Sequence, residues 1–211
     1  MTPRIWSINF ETPGPREADP GADMRERGDL AGAEAAARDK LRMIRAALGN
    51  DNVLLLPFLD SLGLTLLSAY RSLEAMSVLA EALALSHKHI GTEGRDTFAR
   101  VLNLGLAVFQ LASPEEYLAY FRDAVAFRTK YAGENDWMSL TALSYVAVAL
   151  AETGDAAEAV AILEDVVDRM ESLESLETLT QPNKERIISA RANLKIAVSL
   201  RDGGRGPGLD A

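Results

Sequence analysis

The chain has 211 residues, of which 48% are hydrophobic, enough for one domain with a sizeable core or for a small array of repeats. It contains no cysteine, which excludes disulfides and zinc–thiolate sites, and its formal net charge of −9 disfavours binding to nucleic-acid phosphates. Because no apolar run approaches the roughly 18 residues of a membrane span and no secretory signal opens the chain, we expect a cytoplasmic protein without a nucleic-acid or membrane partner.

The chain begins with a short apolar, aromatic segment. Its apolar side chains are Ile5, Trp6, Ile8 and Phe10. Three prolines make residues 11–22 a poor helix, so we predict a flexible N-terminal segment over residues 1–22. Since large apolar surface left in water is costly, we expect the apolar part to pack on the rest of the chain. Packing against a partner is the alternative.

A period of 42 residues runs through most of the remaining chain. Gly49, Gly91 and Gly133 are spaced by 42 residues, and each is followed by Asn or Asp and a long apolar-periodic segment. A break follows at residues 70–72, 112–114 and 153–155, and a second amphipathic segment begins after each break. We therefore predict units that consist of helix A, a turn, helix B and a loop.

The second segments carry apolar residues at the i, i+4, i+7 spacing of one helix face. These are Ala75, Leu79 and Ala82, then Tyr117, Phe121 and Ala124, then Ala159, Leu163 and Val166. The same frame predicts a first B helix at residues 29–47 and a closing A helix at residues 183–201. Lys184, Arg191 and Lys195 would give that last helix the polar outer face that the end of a repeat array needs. We expect the repeat domain to span residues 23–202 and residues 203–211 to be a disordered tail.

A helical hairpin with a small residue in the middle of helix A and an Ala-rich helix B resembles the tetratricopeptide repeat (TPR). The 42-residue period resembles its kinesin-light-chain type. The run from Leu150 to Ala159 is the most typical part, and Tyr117, where the family usually has a small residue, departs from the pattern. The resemblance implies an all-α, right-handed α-solenoid of about three full repeats plus a half repeat and a capping helix. The alternative is a non-repetitive helical bundle. In that case the recurrence of several features at 42 residues would be a coincidence.

The resemblance also implies that the A helices line a concave groove that holds a partner peptide. Asn103 corresponds to an Asn with which many such repeats hold a peptide backbone, since an amide can both donate and accept. An apolar groove is usually occupied, and the segment with Trp6 is one candidate occupant. The alternative is that some of these side chains are core between helices. The groove candidates are Asp60, Leu64, Leu67, Ser68, Asn103, Leu106, Phe109, Gln110, Ser144, Tyr145, Val148 and Glu152.

Charge is distributed unevenly along the chain. Acids are concentrated between residues 152 and 177, where Glu164, Asp165 and Asp168 form an acidic face, while three arginines recur on the first B helix at positions 38, 42 and 45. This polarity could support a homo-oligomer assembled head to tail, or attract a basic partner. The simpler interpretation is two solvated faces, because surface ion pairs contribute only ~0 to 1 kcal/mol each.

The sequence carries no motif that indicates catalysis. His87 and His89 are two residues apart, so on a helix they point about 200° away from each other and cannot chelate one metal together. We find no nucleophile elbow, phosphate-binding loop or metal-ligand pair, and therefore expect a non-enzyme without catalytic residues, cofactor or metal.

We expect an adaptor or scaffold that binds a partner protein or peptide in the concave groove, controlled by its N-terminal segment. One alternative is a regulatory sensor of a small molecule or signalling peptide. Another is an acidic inhibitor or immunity-type partner that blocks an enzyme.

Overall fold

The computed structural model describes residues 6–8, 13, 19–176 and 180–203. These residues form helices and no strand, and one short 3-10 helix, Val53–Leu55, precedes α3. The helices are α1 (Ala22–Glu26), α2 (Leu30–Leu48), α3 (Leu56–Ser68), α4 (Ser72–His89), α5 (Arg95–Leu111), α6 (Pro114–Ala132), α7 (Trp137–Thr153), α8 (Ala156–Leu176) and α9 (Gln181–Arg201).

The helices fall into two compact units. The N-terminal unit lies within Phe10–Ala112 and contains α1 to α5. The C-terminal unit lies within Ser113–Ala211, contains α6 to α9, and also includes Trp6, Ser7 and Ile8. The predicted tail lies outside the described residues apart from Gly203.

The predicted order of helix A, turn, helix B and loop matches the observed helices. The A helices are α3, α5 and α7, the B helices are α4, α6 and α8, and the predicted first and last helices are α2 and α9. Gly49, Gly91 and Gly133 follow the ends of α2, α4 and α6, with φ angles of 81°, 104° and 85°. Glycine adopts this left-handed region at little cost, whereas other residues rarely do. The period in the sequence therefore marks the helix ends.

In the N-terminal unit, α3 packs against α2 and α4, and α4 packs against α5. Ala75, Leu79 and Ala82 on α4 are each fully buried, as the spacing predicts. Gly63 in the middle of α3 faces this surface, because a Cβ atom built on it would lie 2.5 Å from Leu79 Cδ2. The small residue thus lets the two helices of the hairpin approach closely.

In the C-terminal unit, α7 packs against α6 and α8, α8 packs against α9, and α7 also contacts α9 directly. The core between these helices includes Leu140, Val166, Met170 and Ile187. On α9, the predicted charged stripe of Lys184, Arg191 and Lys195 is exposed. The contact between α7 and α9 brings two successive A helices side by side.

Asp136 fixes the start of α7. Its carboxylate accepts hydrogen bonds from the backbone N–H groups of Met138 and Ser139, both at 3.1 Å, and pairs with Arg128 Nε at 2.8 Å. Burial alone would raise the pKa of Asp136, but the hydrogen bond and charge of Arg128 and the two backbone N–H groups hold that pKa below its usual value. The cap therefore ties the end of α6 to the first turn of α7.

We predict that Asp136→Ala lowers the free energy of unfolding by about 1 to 3 kcal/mol, because it removes the helix cap and a hydrogen-bonded carboxylate partner of the buried Arg128. Asp136→Asn keeps a capping oxygen and should cost less. The advantage of the wild type over Asp136→Asn should be present above pH of about 4 and disappear as the pH falls through the lowered native pKa.

Urea denaturation across pH 2 to 7, monitored by circular dichroism, measures both effects. The control is Asp165→Ala, which removes the exposed partner of Arg169 and should change stability by about 0 to 1 kcal/mol. Wild-type stability in Asp136→Ala would contradict the role of this cap.

Candidate functional site

Most groove candidates on α3 and α5 are buried. Leu64, Leu67, Leu106 and Phe109 are at most 3% exposed, and Asn103 is fully buried. Ser68 and Gln110 are partly exposed, and Gln110 accepts a hydrogen bond from the Ser72 hydroxyl. Their contact with a partner peptide stays a prediction, and the apolar members offer such a peptide little accessible surface.

Asp60 is engaged in a buried ion pair within the N-terminal unit. Its carboxylate accepts hydrogen bonds from Arg100 Nε at 2.9 Å and Nη2 at 2.6 Å, and Arg100 Nη1 donates to Ser86 Oγ at 3.1 Å. Burial raises the pKa of Asp60 to about 6, because lost hydration outweighs the hydrogen bond and charge of Arg100. Both carboxylate oxygens are used inside the fold, where the pair links α3 to α5.

The chain before α2 lies against α3 in the same unit. Arg25 Nη1 donates to Ser61 Oγ at 3.2 Å and also pairs with Asp19. Ser61 occupies the position in α3 that corresponds to Asn103 in α5. A Cβ atom on Gly21 would lie 2.5 Å from Ser61 Oγ, so the backbone passes close to α3 at this point.

In the C-terminal unit, the predicted docking segment contacts a predicted groove residue. Trp6 is buried, with 8% of its surface exposed, and its Nε1 donates a hydrogen bond to Glu152 Oε1 at 2.8 Å. Glu152 Oε2 accepts a hydrogen bond from the Tyr117 hydroxyl. Glu152 thus joins α7, α6 and the N-terminal segment. Ile8 is partly buried, while Ile5 and Phe10 lie outside the described residues.

The backbone of Ser7 is held by one side chain of α9. Ser7 N donates to Asn193 Oδ1 at 2.8 Å, and Asn193 Nδ2 donates to Ser7 O at 2.9 Å. The hydroxyls of Ser7 and Ser189 are 3.0 Å apart and share a hydrogen bond. Two bonds to the N–H and C=O of one residue are the contacts that a neighbouring strand makes with an extended peptide. They recognise the backbone rather than a side chain.

The other groove candidates of α7 lie close to this contact. Ser144 and Tyr145 line a small cavity beside Ser7, together with Thr141, Arg186 and Ser189. Tyr145 also packs its ring against Phe121, with 5.1 Å between the ring centroids. Val148 is buried, with 1% exposed. Of the candidates in the third predicted repeat, Glu152 therefore contacts the N-terminal segment, and Ser144 and Tyr145 share a cavity with it.

Asn193 is the site residue that the sequence analysis missed. It lies on the predicted closing A helix, from which no groove candidate was named. A signal for it exists, because the run from Asn193 to Val198 repeats the pattern Asn-Leu-x-x-Ala-Val of the run from Asn103 to Val108. Asn193 therefore stands at the position where the family resemblance places the peptide-holding Asn, on the next A helix.

The two charged faces are both exposed, and parts of them are paired within the chain. Glu164, Asp165 and Asp168 lie exposed on α8. On α2, Arg38 pairs with Glu34 at 2.8 Å and Arg45 with Glu81 at 2.7 Å. The basic stripe is thus largely neutralised by acids of its own unit, and a role of either face in a homo-oligomer stays a prediction.

The two histidines lie at the exposed end of α4, where His89 and Lys88 both contact Asp51. In the described part of the chain, no three or more His, Asp or Glu side chains are grouped so that they could hold a metal ion. None of the helices described there is both long and apolar enough to cross a membrane.

Comparison with known proteins identifies the repeats. A family model of the tetratricopeptide repeat matches residues 139–175, which cover most of α7 and α8. The nearly identical TPR-like repeats of a kinesin-light-chain candidate from Podosopora anserina share the fold at 18% identity, with a TM-score of 0.65 over 89% of this chain and 86% of that chain. A variant of the same repeats gives 16% identity and a TM-score of 0.66 over 93% and 90%.

At these identities the likeness to the solved structures shows the fold alone, and no curated protein matches the sequence. The predicted all-α fold, a solenoid of TPR-like hairpins similar to those of the kinesin-light-chain type, is confirmed.

We predict that Asn193→Ala releases the N-terminal segment, because it removes both bonds to the Ser7 backbone, worth about 1 kcal/mol each. The readout is the indole N–H signal of Trp6 in a two-dimensional ¹H–¹⁵N spectrum. The chain has two tryptophans, so Trp6→Phe assigns the two signals. In the wild type the Trp6 N–H should exchange slowly with solvent, and in Asn193→Ala it should exchange faster.

Lys195→Ala, on the same helix but exposed, is the matched control and should leave the Trp6 signal unchanged. Unchanged protection of Trp6 in Asn193→Ala, in a protein of unchanged thermal stability, would refute the clamp.

Proposed function

Because the chain is built from tetratricopeptide-type repeats, we propose that it is a protein-interaction adaptor whose C-terminal unit binds an extended segment of a partner protein between α7 and α9. The observation that carries this proposal is the pair of hydrogen bonds between Asn193 and the Ser7 backbone. In this proposal Trp6, Ser7 and Ile8 are an internal ligand, which occupies the site that the partner would use.

The contacts of Ser7 support binding of an extended backbone. A side-chain amide can donate and accept at once, so Asn193 satisfies both polar groups of one residue that would otherwise lose water on binding. With Ser7 in place, Asn193 is 1% exposed, so both hydrogen bonds to the Ser7 backbone are shielded from water.

The proposal uses α7 and α9 rather than α3 and α5. Asn103 and Phe109 are buried, and the carboxylate of Asp60 is already paired with Arg100. In contrast, Glu152, Ser189 and Asn193 all contact a segment distant in sequence. The C-terminal unit therefore offers polar groups that a peptide can reach.

A tethered internal ligand would regulate the adaptor by competition. A ligand on the same chain competes with a partner at an effective concentration that its tether sets. The affinity of a partner falls by a factor of one plus the ratio of this concentration to the dissociation constant of the segment itself. A partner must therefore either bind more tightly than the segment or contact further surface. Repeats of this type generally act as interaction scaffolds, so we expect no enzymatic activity.

The test uses a full-length open variant, Trp6→Ala combined with Ser7→Pro, which removes the indole and the backbone N–H that donates to Asn193. The probe is a fluorescently labelled peptide of residues 1–12. By fluorescence polarisation, the open variant should bind the probe roughly 10-fold or more tightly than the wild type does, because its site is vacant.

Two controls keep the test specific. Adding Asn193→Ala to the open variant should remove binding, and a probe with Pro in place of Ser7 should not bind. If the open variant fails to bind the probe at millimolar concentration, or if the wild type binds it equally well, the proposed function is wrong.

A further inference from the structure

We propose that the C-terminal unit has a second docking surface, a groove between the B helices α6 and α8, which takes an amphipathic helix of a partner protein. That helix carries an apolar ridge with an acidic residue on one flank and a basic residue on the other. This inference does not depend on the proposed function, because the groove and the contact with Ser7 lie on different sides of α7.

The groove runs along α7, with α6 as one wall and α8 as the other. Its volume is about 520 Å³, and Leu143 and Val146 of α7 line its floor. Leu143 and Tyr145 are two residues apart, so they point about 200° away from each other on the helix. Tyr145 lines the small cavity beside Ser7. The groove is therefore a separate surface from the one that holds the N-terminal segment.

The middle of the groove is apolar, and charged residues lie on its walls. The apolar lining residues are Val125, Ala126, Leu143, Val146 and Ile162. Arg122 lines the groove from α6, and Glu158 lines it from the first turn of α8. An apolar strip between two opposite charges matches the face of an amphipathic helix, whose apolar ridge is flanked by polar side chains.

In the N-terminal unit, ion pairs bridge the corresponding B helices, α2 and α4. Arg38 pairs with Glu74 at 3.5 Å, and Arg45 pairs with Glu81 at 2.7 Å. The two residues of each pair are 36 positions apart in the sequence. These bridges span the slot between the two helices.

In the C-terminal unit, the second of these bridges is missing. Thr129, which carries no charge, stands two 42-residue periods after Arg45. Asp165 corresponds to Glu81 in the same way, and it pairs instead with Arg169 of its own helix at 2.9 Å. No arginine therefore crosses the slot at this level, and the slot is an open groove.

Arg122 and Glu158 keep the charges of the first bridge without forming it. They stand two periods after Arg38 and Glu74, and both are exposed. Within the described ranges, neither of the two side chains takes part in a hydrogen bond or an ion pair. Each can therefore pair with an opposite charge on a docked segment. Such pairs fix the orientation of the segment more than they add affinity.

The walls favour a helix over an extended segment. Both walls and the floor are α-helices, whose backbone N–H and C=O groups are hydrogen-bonded within each helix. An extended segment would bury its own backbone groups against apolar side chains without partners, which is costly. A helix satisfies its backbone internally and can lay its apolar face into the groove. The contact of Ser7 differs, since Asn193 supplies bonds to its backbone.

The experiment selects the helix from a phage-displayed library. Each member is an alanine-based helix of about 15 residues, in which the residues of one face vary, and the bait is the full-length chain. Enriched sequences should carry apolar residues at i, i+4 and i+7, with an acid on one flank of this stripe and a base on the other. One enriched peptide is then labelled, and its affinity is measured by fluorescence polarisation.

Two variants close the groove. Thr129→Arg restores the arginine of the corresponding N-terminal bridge, and Ala126→Arg places a long charged side chain at an exposed lining position. Each should weaken binding of the labelled peptide roughly 10-fold or more, because the apolar centre of an interface carries most of its affinity. The matched control is Ala161→Arg, at an exposed alanine of α8 outside the lining. It should leave the affinity unchanged, as should Asn193→Ala.

A charge exchange tests the orientation. Arg122→Glu should weaken binding roughly 2-fold to 5-fold at low salt, as expected for one exposed ion pair. Replacing the acid of the peptide by lysine should restore the affinity for this variant. A peptide with proline at its centre cannot form a continuous helix and should not bind. Circular dichroism verifies that each variant is folded.

Three results would overturn the proposal. The groove is not a docking surface if no sequence is enriched, or if the peptide binds Thr129→Arg and Ala126→Arg as tightly as the wild type. The occupant is extended rather than helical if the proline peptide binds equally well. The occupant is a second copy of the chain if sedimentation velocity shows self-association that Ala126→Arg abolishes.

Discussion

Close packing between neighbouring helices is the constraint on which the rest of this protein depends. Helices in proteins gain most of their stability from tertiary packing, so the apolar surface of each helix must be covered by its neighbours. The contact is tight where Gly63 faces Leu79, which leaves no room for a larger side chain on α3. Because the opposite face of an A helix is not used in this contact, it can carry polar groups such as Glu152.

The two units use those polar groups differently. In the N-terminal unit, Asp60 and Arg100 satisfy each other, and Arg25 bonds Ser61. In the C-terminal unit, Glu152 and Asn193 reach instead to Trp6 and Ser7, a segment from the far end of the chain. A buried polar group needs a hydrogen-bond partner. In the N-terminal unit the partners lie on the helices and on the chain just before α2, whereas in the C-terminal unit they lie on the N-terminal segment.

In the proposed function, the internal ligand would link the stability of the C-terminal unit to partner binding. The contacts that bury Trp6 stabilise the C-terminal unit, and the same contacts would keep a partner out until it competes successfully. In the proposed function, Asn193 would recognise a bound segment through the N–H and C=O groups of its backbone, as it does with Ser7.

The sequence by itself determined the features that depend on local chemistry. Helix ends follow from glycine, as at Gly49 and Gly133, and buried faces follow from apolar spacing, as at Leu79 and Leu163, because both are set within one or two helical turns. The 42-residue period also pointed to the repeat fold. The family resemblance made Glu152 a groove candidate, and the apolar N-terminal pattern singled out Trp6. Only the tertiary structure decided which polar residues meet. Trp6 and Glu152 are 146 residues apart and Ser7 and Asn193 are 186 residues apart, and no local pattern records such pairs. Asp60 is paired with Arg100, whereas Asn193 holds the backbone of Ser7. This difference depends on how the helices pack, because the group that lies opposite a polar side chain determines whether that side chain stabilises the fold or binds a segment.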